Sequence, residues 1–158
     1  MSDQVDKIKK SLPAFTASGT FPCGQRYKDK LIQHSMRLQI DVDKLPADRL
    51  QLVKEQLATD PHMEATFLSP SGTGVKAVMR IPVCKDDQEH KKAFLAAENY
   101  LSQQYQLKID PSTKDVSRVL FASYDQDLVL QSNPVELDVA KWLPHQQPST
   151  VTNKPSTA

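Results

Sequence analysis

Apolar and polar residues alternate most cleanly at residues 35–43, SMRLQIDVD. Met36, Leu38, Ile40 and Val42 fall on one side of an extended chain, and Arg37, Gln39, Asp41 and Asp43 on the other, which predicts a strand with one face on a core. LPADRLQLVKEQLAT follows, with Leu50, Val53 and Leu57 at helical spacing and Pro46 suited to a first turn. MEATFLSP (63–70) and VKAVMRIPV (75–83) read as strands joined by the turn SPSGTG, hence a hairpin. Residues 86–105 give the strongest helix, with a stripe of Ala93, Phe94, Ala97, Tyr100 and Leu101 and the acids Asp86, Asp87 and Glu89 at its N-terminal end. SRVLFASY (117–124) predicts a fourth strand and LVLQ (128–131) a short fifth.

The order from residue 35 is strand, helix, strand, strand, helix, strand. That predicts an α+β fold with the split βαβ core of ferredoxin-like and RNA-recognition (RRM) folds, spanning residues 35–143. Both helices would lie on one face of an antiparallel sheet, leaving the other face open for a site. Residues 1–34 read as a helix and loops packed on that core, with Arg26, Lys28 and Lys30 close together. Residues 144–158 read as a disordered Pro/Ser/Thr-rich tail or linker. An RNA-binding module of this shape carries aromatic residues on its central strands for base stacking. Here the central strand carries two aspartates, which shifts the expectation towards chemistry on nucleotides.

Composition narrows this little. The 158 residues suffice for one domain with a core, and a formal net charge of +1 argues against holding duplex DNA by bulk charge. Any nucleic-acid contact must be local. Cys23 and Cys84 form no CxxC pair and read as reduced thiols of a cytosolic protein. No signal peptide or membrane span is visible, so the expected location is cytoplasmic, with no membrane partner. Among the histidines, His34 adjoins the aspartate strand, while His62, His90 and His145 read as solvent-facing.

Three groups carry candidate chemistry. Asp41 and Asp43, two residues apart on a strand, share a face. Paired carboxylates are stable as anions around a divalent cation, and magnesium or manganese prefers such oxygen ligands; a polar strand end at a turn gives the same string. Ser71, Gly72, Thr73 and Gly74 could turn backbone N–H groups towards phosphate, with Lys76 adding charge, or could form an ordinary hairpin turn. Asp110, Asp115 and Arg118 precede or open the fourth expected strand; Asp110 also suits a turn, and Asp115 with Arg118 a surface ion pair.

Taken together, LPAFTASGTF, HSMRLQIDVDKL, FLSPSGTGVKAVMRIP and IDPSTKDVSRVLFASYDQDL resemble, in order and spacing over about residues 8–131, the VirE N-terminal-like primase domain of the archaeo-eukaryotic primase (primase-polymerase) superfamily. The resemblance implies a primase-like catalytic core in which Asp41, Asp43 and a third acid hold two Mg2+ or Mn2+ ions, with Asp115 as first choice and Asp110 as second. It implies that Ser71, Gly72, Thr73, Gly74 and Lys76 meet the triphosphate, and that Arg118 meets phosphate or template. Lys76 stands where the wider superfamily has histidine. The implied activity is DNA primase or polymerase nucleotidyl transfer from nucleoside triphosphates on a single-stranded or primed template, in bacterial, phage or mobile-element replication. A helicase domain or protein is an implied partner. Two alternatives stay open: an inactive single-strand-binding module, and another phosphoryl-transfer enzyme such as a nuclease or cyclase.

Overall fold

The computed structural model describes residues 2–145. In chain order its elements are α1 (Ser2–Ser11), β1 (Ala14–Phe15), β2 (Gly19–Thr20), β3 (Gln33–His34), β4 (Arg37–Val42), α2 (Ala47–Thr59), β5 (Met63–Leu68), β6 (Val75–Arg80), α3 (Asp87–Tyr105), β7 (Leu120–Phe121), β8 (Val129–Leu130) and α4 (Val139–Trp142), with 3₁₀ turns at Lys28–Lys30 and Pro111–Lys114. The fold is mixed α+β, and every strand pairing is antiparallel. The main sheet has four strands in the order β4-β6-β5-β8, and the pairs β1-β7 and β2-β3 stand apart from it.

One face of the sheet meets the two long helices. Leu38, Ile40 and Val42 of β4 join Ala77 and Met79 of β6, Val53 and Leu57 of α2, and Phe94, Ala97 and Leu101 of α3 in one core. The predicted stripe on α3 is buried throughout. Its start is capped from both sides: the N-cap Asp86 accepts the Glu89 N–H at 2.9 Å, and Glu89 reaches back to accept the Lys85 N–H, one residue before the cap, at 2.9 Å. Where α2 turns into β5, buried Asp60 has no cation partner among the described residues. Three donors satisfy its carboxylate instead: the Tyr100 and Tyr105 hydroxyls at 2.7 and 2.6 Å and the His62 N–H at 2.8 Å.

The structure corrects three expectations. First, the strand at 35–43 spans only Arg37–Val42. Met36 and Lys44 take left-handed φ values of 60° and 53°, and such residues interrupt a pleat. Met36 therefore leaves the core row; its sulfur faces the Arg80 guanidinium at 3.5 Å. Second, residues 117–124 are not a strand of the main sheet. Only Leu120–Phe121 pairs, and it pairs with β1, Ala14 opposite Phe121 and Phe15 opposite Leu120. The outer edge of β4 is instead flanked by residues 107–110. There Leu107 and Ile109 enter the core, and the Asp110 N–H donates to the Asp41 carbonyl at 2.8 Å. Pro111 follows directly and starts the 3₁₀ turn, so no ladder forms. Third, the face away from the helices is not open. Ala17 and Leu120 pack there on Ala65, Phe67 and Val78.

Both helices and the 63–83 hairpin stand where expected, and the short strand at 128–131 forms as Val129–Leu130 on the edge of β5. The expected tail from residue 144 lies, past His145, outside the described residues. Among the described residues no helix is long and apolar enough to cross a membrane.

Candidate functional site

The β4-β6 register sets Asp41 directly opposite Lys76, and Lys76 opposite Phe67 of β5. Asp41 and Lys76 are both buried, and the Lys76 ammonium lies 2.9 Å from an Asp41 carboxylate oxygen. Gln39 shares their face two residues earlier. Its side-chain N–H group donates to both Asp41 oxygens at 3.1 and 3.2 Å, and its own Oε1 is buried without a partner among the described residues. Such an orphaned acceptor is uncommon in a core. It leaves this buried row an acceptor oxygen for a cation or a donor.

Asp43 stands differently. It follows the end of β4, is exposed, and precedes left-handed Lys44. The pleat that would align it with Asp41 stops one residue short of it.

The two candidates for the third acid part company in the structure. Asp110 is tied to the Asp41 backbone, and its carboxylate accepts the Ser112 N–H and hydroxyl at 2.9 and 2.7 Å. Burial disfavours the charged form of Asp110. The Ser112 hydrogen bonds outweigh that, with the charges of Arg118 and Lys76 assisting, and hold the carboxyl below its usual range. Asp115 turns elsewhere: its carboxylate accepts the Ser117 N–H and hydroxyl at 2.8 and 2.7 Å. Burial works against its charge too, and the Ser117 bonds with the charges of Lys28 and Arg26 hold its pKa low. The acid that shares the electrostatic field of Lys76 is thus Asp110. Arg118 is exposed and pairs with Asp115 only through the backbone, its N–H donating to the Asp115 carbonyl at 3.0 Å.

The Ser/Gly turn is more self-contained than its sequence suggests. The Gly72 N–H donates to the Ser69 carbonyl at 2.9 Å and the Gly74 N–H to the Ser69 hydroxyl at 3.1 Å, so two of the N–H groups expected to face phosphate are engaged. The Ser69, Ser71 and Thr73 hydroxyls form a chain at 3.1 and 3.0 Å. The Thr73 carbonyl accepts the Leu45 N–H at 2.9 Å, locking the turn to the end of β4. Gly72 needs its glycine for a φ of 73°. Gly74 needs its own for space: a Cβ there would lie 2.7 Å from the Val42 carbonyl oxygen. Gly74→Ala is expected to cost about 1–3 kcal/mol by forcing the turn off β4, read as a lower urea midpoint at unchanged slope. The turn's outer side borders an apolar groove of about 460 Å³ lined by Val5 and Ile8 of α1 and by Leu12, Leu68, Pro70 and Tyr124.

Sequence reasoning missed a second buried group. His34, read only as adjoining the aspartate strand, and His90, read as solvent-facing, are both buried and bonded, His34 Nε2 to His90 Nδ1 at 3.1 Å. With Cys84 they form a cluster whose ligand-type atoms all lie within 4.8 Å of one another. The positions of the protons constrain its use. His34 Nδ1 accepts two backbone N–H groups, from Met36 at 3.1 Å and Cys84 at 3.2 Å, so its ring proton sits on Nε2 and is donated to His90. A metal ion between the rings would have to displace that proton. Burial lowers the pKa of His34 against the opposing charge of Glu89. Burial, with His34 alongside, brings His90 to about 4. Burial, with Glu89 and Asp86, pushes the Cys84 thiol to about 11. Both rings are therefore neutral and the thiol protonated near pH 7. The only sequence signal for this pair was helical spacing: His90 lies three residues before Ala93 and four before Phe94, on the buried side of α3.

No curated protein and no solved structure matches the chain. A family model does match, over residues 7–129, covering the aspartate strand, the hairpin, both long helices and the 110–121 segment, and the chain belongs to that family, described as BT4734-like, N-terminal domain.

Proposed function

We propose that the domain is a primase-polymerase-type nucleotidyltransferase of RRM-like core, acting on nucleoside triphosphates and a DNA template. The observation that carries this reading is the buried row of Gln39, Asp41 and Lys76, with Asp110 joined to it and one oxygen, Gln39 Oε1, left unpartnered. Its donors are hard oxygens, which fit Mg2+ or Mn2+. Asp41, Asp43 and Asp110 would hold the ions, and Asp115 becomes the second choice. Bound, such ions lower the pKa of an attacking 3′-hydroxyl and balance charge on the triphosphate.

The residues of the chain do the rest. Lys76 neutralises Asp41 in the resting site. Were Asp41 to hold a cation, the Lys76 ammonium, two residues from the Ser71–Gly74 turn, would be the nearby positive charge for a phosphate at that turn. The Ser71 and Thr73 hydroxyls supply further donors to phosphate oxygens, and the apolar groove beside the turn offers a base a dry surface.

One observation favours a second reading. The Asp41 and Lys76 side chains are only 6% and 8% exposed and satisfy one another, as in a domain that binds nucleic acid and performs no chemistry. Incubation with labelled nucleotides, a primed template and manganese separates the two. Extended product, abolished in Asp43→Ala, is expected from the enzyme. Absence of extension, with strand binding indifferent to chelator, would sink the enzymatic reading.

A further inference from the structure

The 3₁₀ turn Pro111–Lys114, the first two turns of α3 and Lys28 enclose a polar cleft of about 320 Å³. Four of its walls are cations, Lys28, Lys91, Lys114 and Arg118, against two acids, Asp87 and Asp115. Both acids are committed to the protein. Asp87 accepts the Val116 N–H at 3.1 Å with one oxygen and meets the Lys91 ammonium at 2.9 Å with the other. Asp115 is held by Ser117. Lys28, Lys114 and Arg118 are exposed and form no ion pair among the described residues. In a chain of net charge +1 this is a local cationic surplus in a concave site. Positive charge from several elements around a concave wall draws phosphates. Arg118 gives the cleft a direction, because it lines the wall on one side and its charge acts on Asp110 on the other.

We propose that this cleft holds the sugar-phosphate backbone of one nucleic-acid strand and leads it to Asp110. The proposal rests on the nucleotidyl-transfer reading for what happens at the end of that path, while the binding itself does not. A cleft of this volume with three uncommitted cations suits a single strand; the low overall charge is too small to hold a duplex.

The test is fluorescence anisotropy of a labelled single-stranded oligonucleotide with EDTA present, comparing the wild-type chain with Lys28→Glu/Lys114→Glu and the milder Lys28→Gln/Lys114→Gln. Both sites are exposed, and thermal melts check that the variants fold. The glutamate pair is expected to bind at least tenfold more weakly. The slope of log affinity against log salt should fall by about 0.7 for each phosphate that no longer meets a lysine. Unchanged affinity and slope in both variants would overturn the proposal. So would inorganic triphosphate displacing the strand at micromolar concentration, which would assign the cleft to free triphosphate. Extension assays keep the two readings apart. Wild-type binding without extension would refute nucleotidyl transfer and leave the cleft standing; extension and binding undiminished in the variants would do the reverse.

Discussion

Asp41→Ala is expected to lower the unfolding free energy by about 3–5 kcal/mol, because it strands the Lys76 ammonium in a buried site. The two side chains are 6% and 8% exposed and 2.9 Å apart, so neither charge has water to fall back on. Lys76→Met alone should cost a comparable amount by leaving Asp41 with Gln39 as its main donor. The double variant Asp41→Ala/Lys76→Met should then recover about 2 kcal/mol or more relative to the sum of the single costs, since removing both charges removes the penalty with them. Urea unfolding of the four proteins gives the cycle, and strictly additive costs would show that the pair is not coupled. The result matters for the assays of function. Reduced activity in Asp41→Ala reports on folding as well as chemistry, whereas Asp43 is exposed and its replacement leaves the core intact.

Stability is expected to fall steeply between pH 6.5 and pH 4, ahead of ordinary acid denaturation. An unfolded histidine titrates near 6.5. Burial lowers His90 to about 4, and it lowers His34 as well. The folded state therefore favours the neutral rings. Their contribution is whole above pH 6.5 and is lost as pH falls and the unfolded chain takes up the protons. For His90 the loss is on the order of 3 kcal/mol. The carboxylates held low, such as Asp110, Asp115 and Asp125, add their own loss as pH falls below about 5, where they begin to protonate in the unfolded chain. The window above about pH 5 is thus dominated by the histidines. His90→Gln should flatten the dependence of the urea midpoint on pH across that window, whatever it does to the midpoint at pH 7. A flat wild-type profile from pH 7 to 5 would show that the rings are not buried neutral.

The parts of the fold legible in the sequence were those governed by local periodicity. The α3 stripe of Ala93, Phe94, Ala97, Tyr100 and Leu101, and the hairpin around SPSGTG, declare themselves within a few residues, and both formed as read. Residues 117–124 are apolar enough for a strand, yet sequence says nothing of which edge they meet. Pro111 kept the chain from zipping along β4, and Leu120–Phe121 found β1 instead. The left-handed turns at Met36 and Lys44 carry no glycine to announce them. Asp41 and Lys76 could be named as candidates from the sequence, but their pairing follows from cross-strand register. Which of Asp110 and Asp115 lies towards Lys76 turned on the turns that their carboxylates close with Ser112 and Ser117, a matter of loop conformation. His90 was misread because a polar residue on a buried helix face looks, in one sequence, like a solvated one.

The two-residue pairing of β1 with β7 joins the first quarter of the chain to its last. It carries Leu120 over Phe67 and Val78 on the face that bears Asp41. Such a pairing closes one of the longest loops in the molecule for very few hydrogen bonds, so it is won late in folding and surrendered early in thermal fluctuation. The amides of Ala14–Phe15 and Leu120–Phe121 are therefore expected to exchange with solvent faster than those of the sheet they cover, as hydrogen exchange would show.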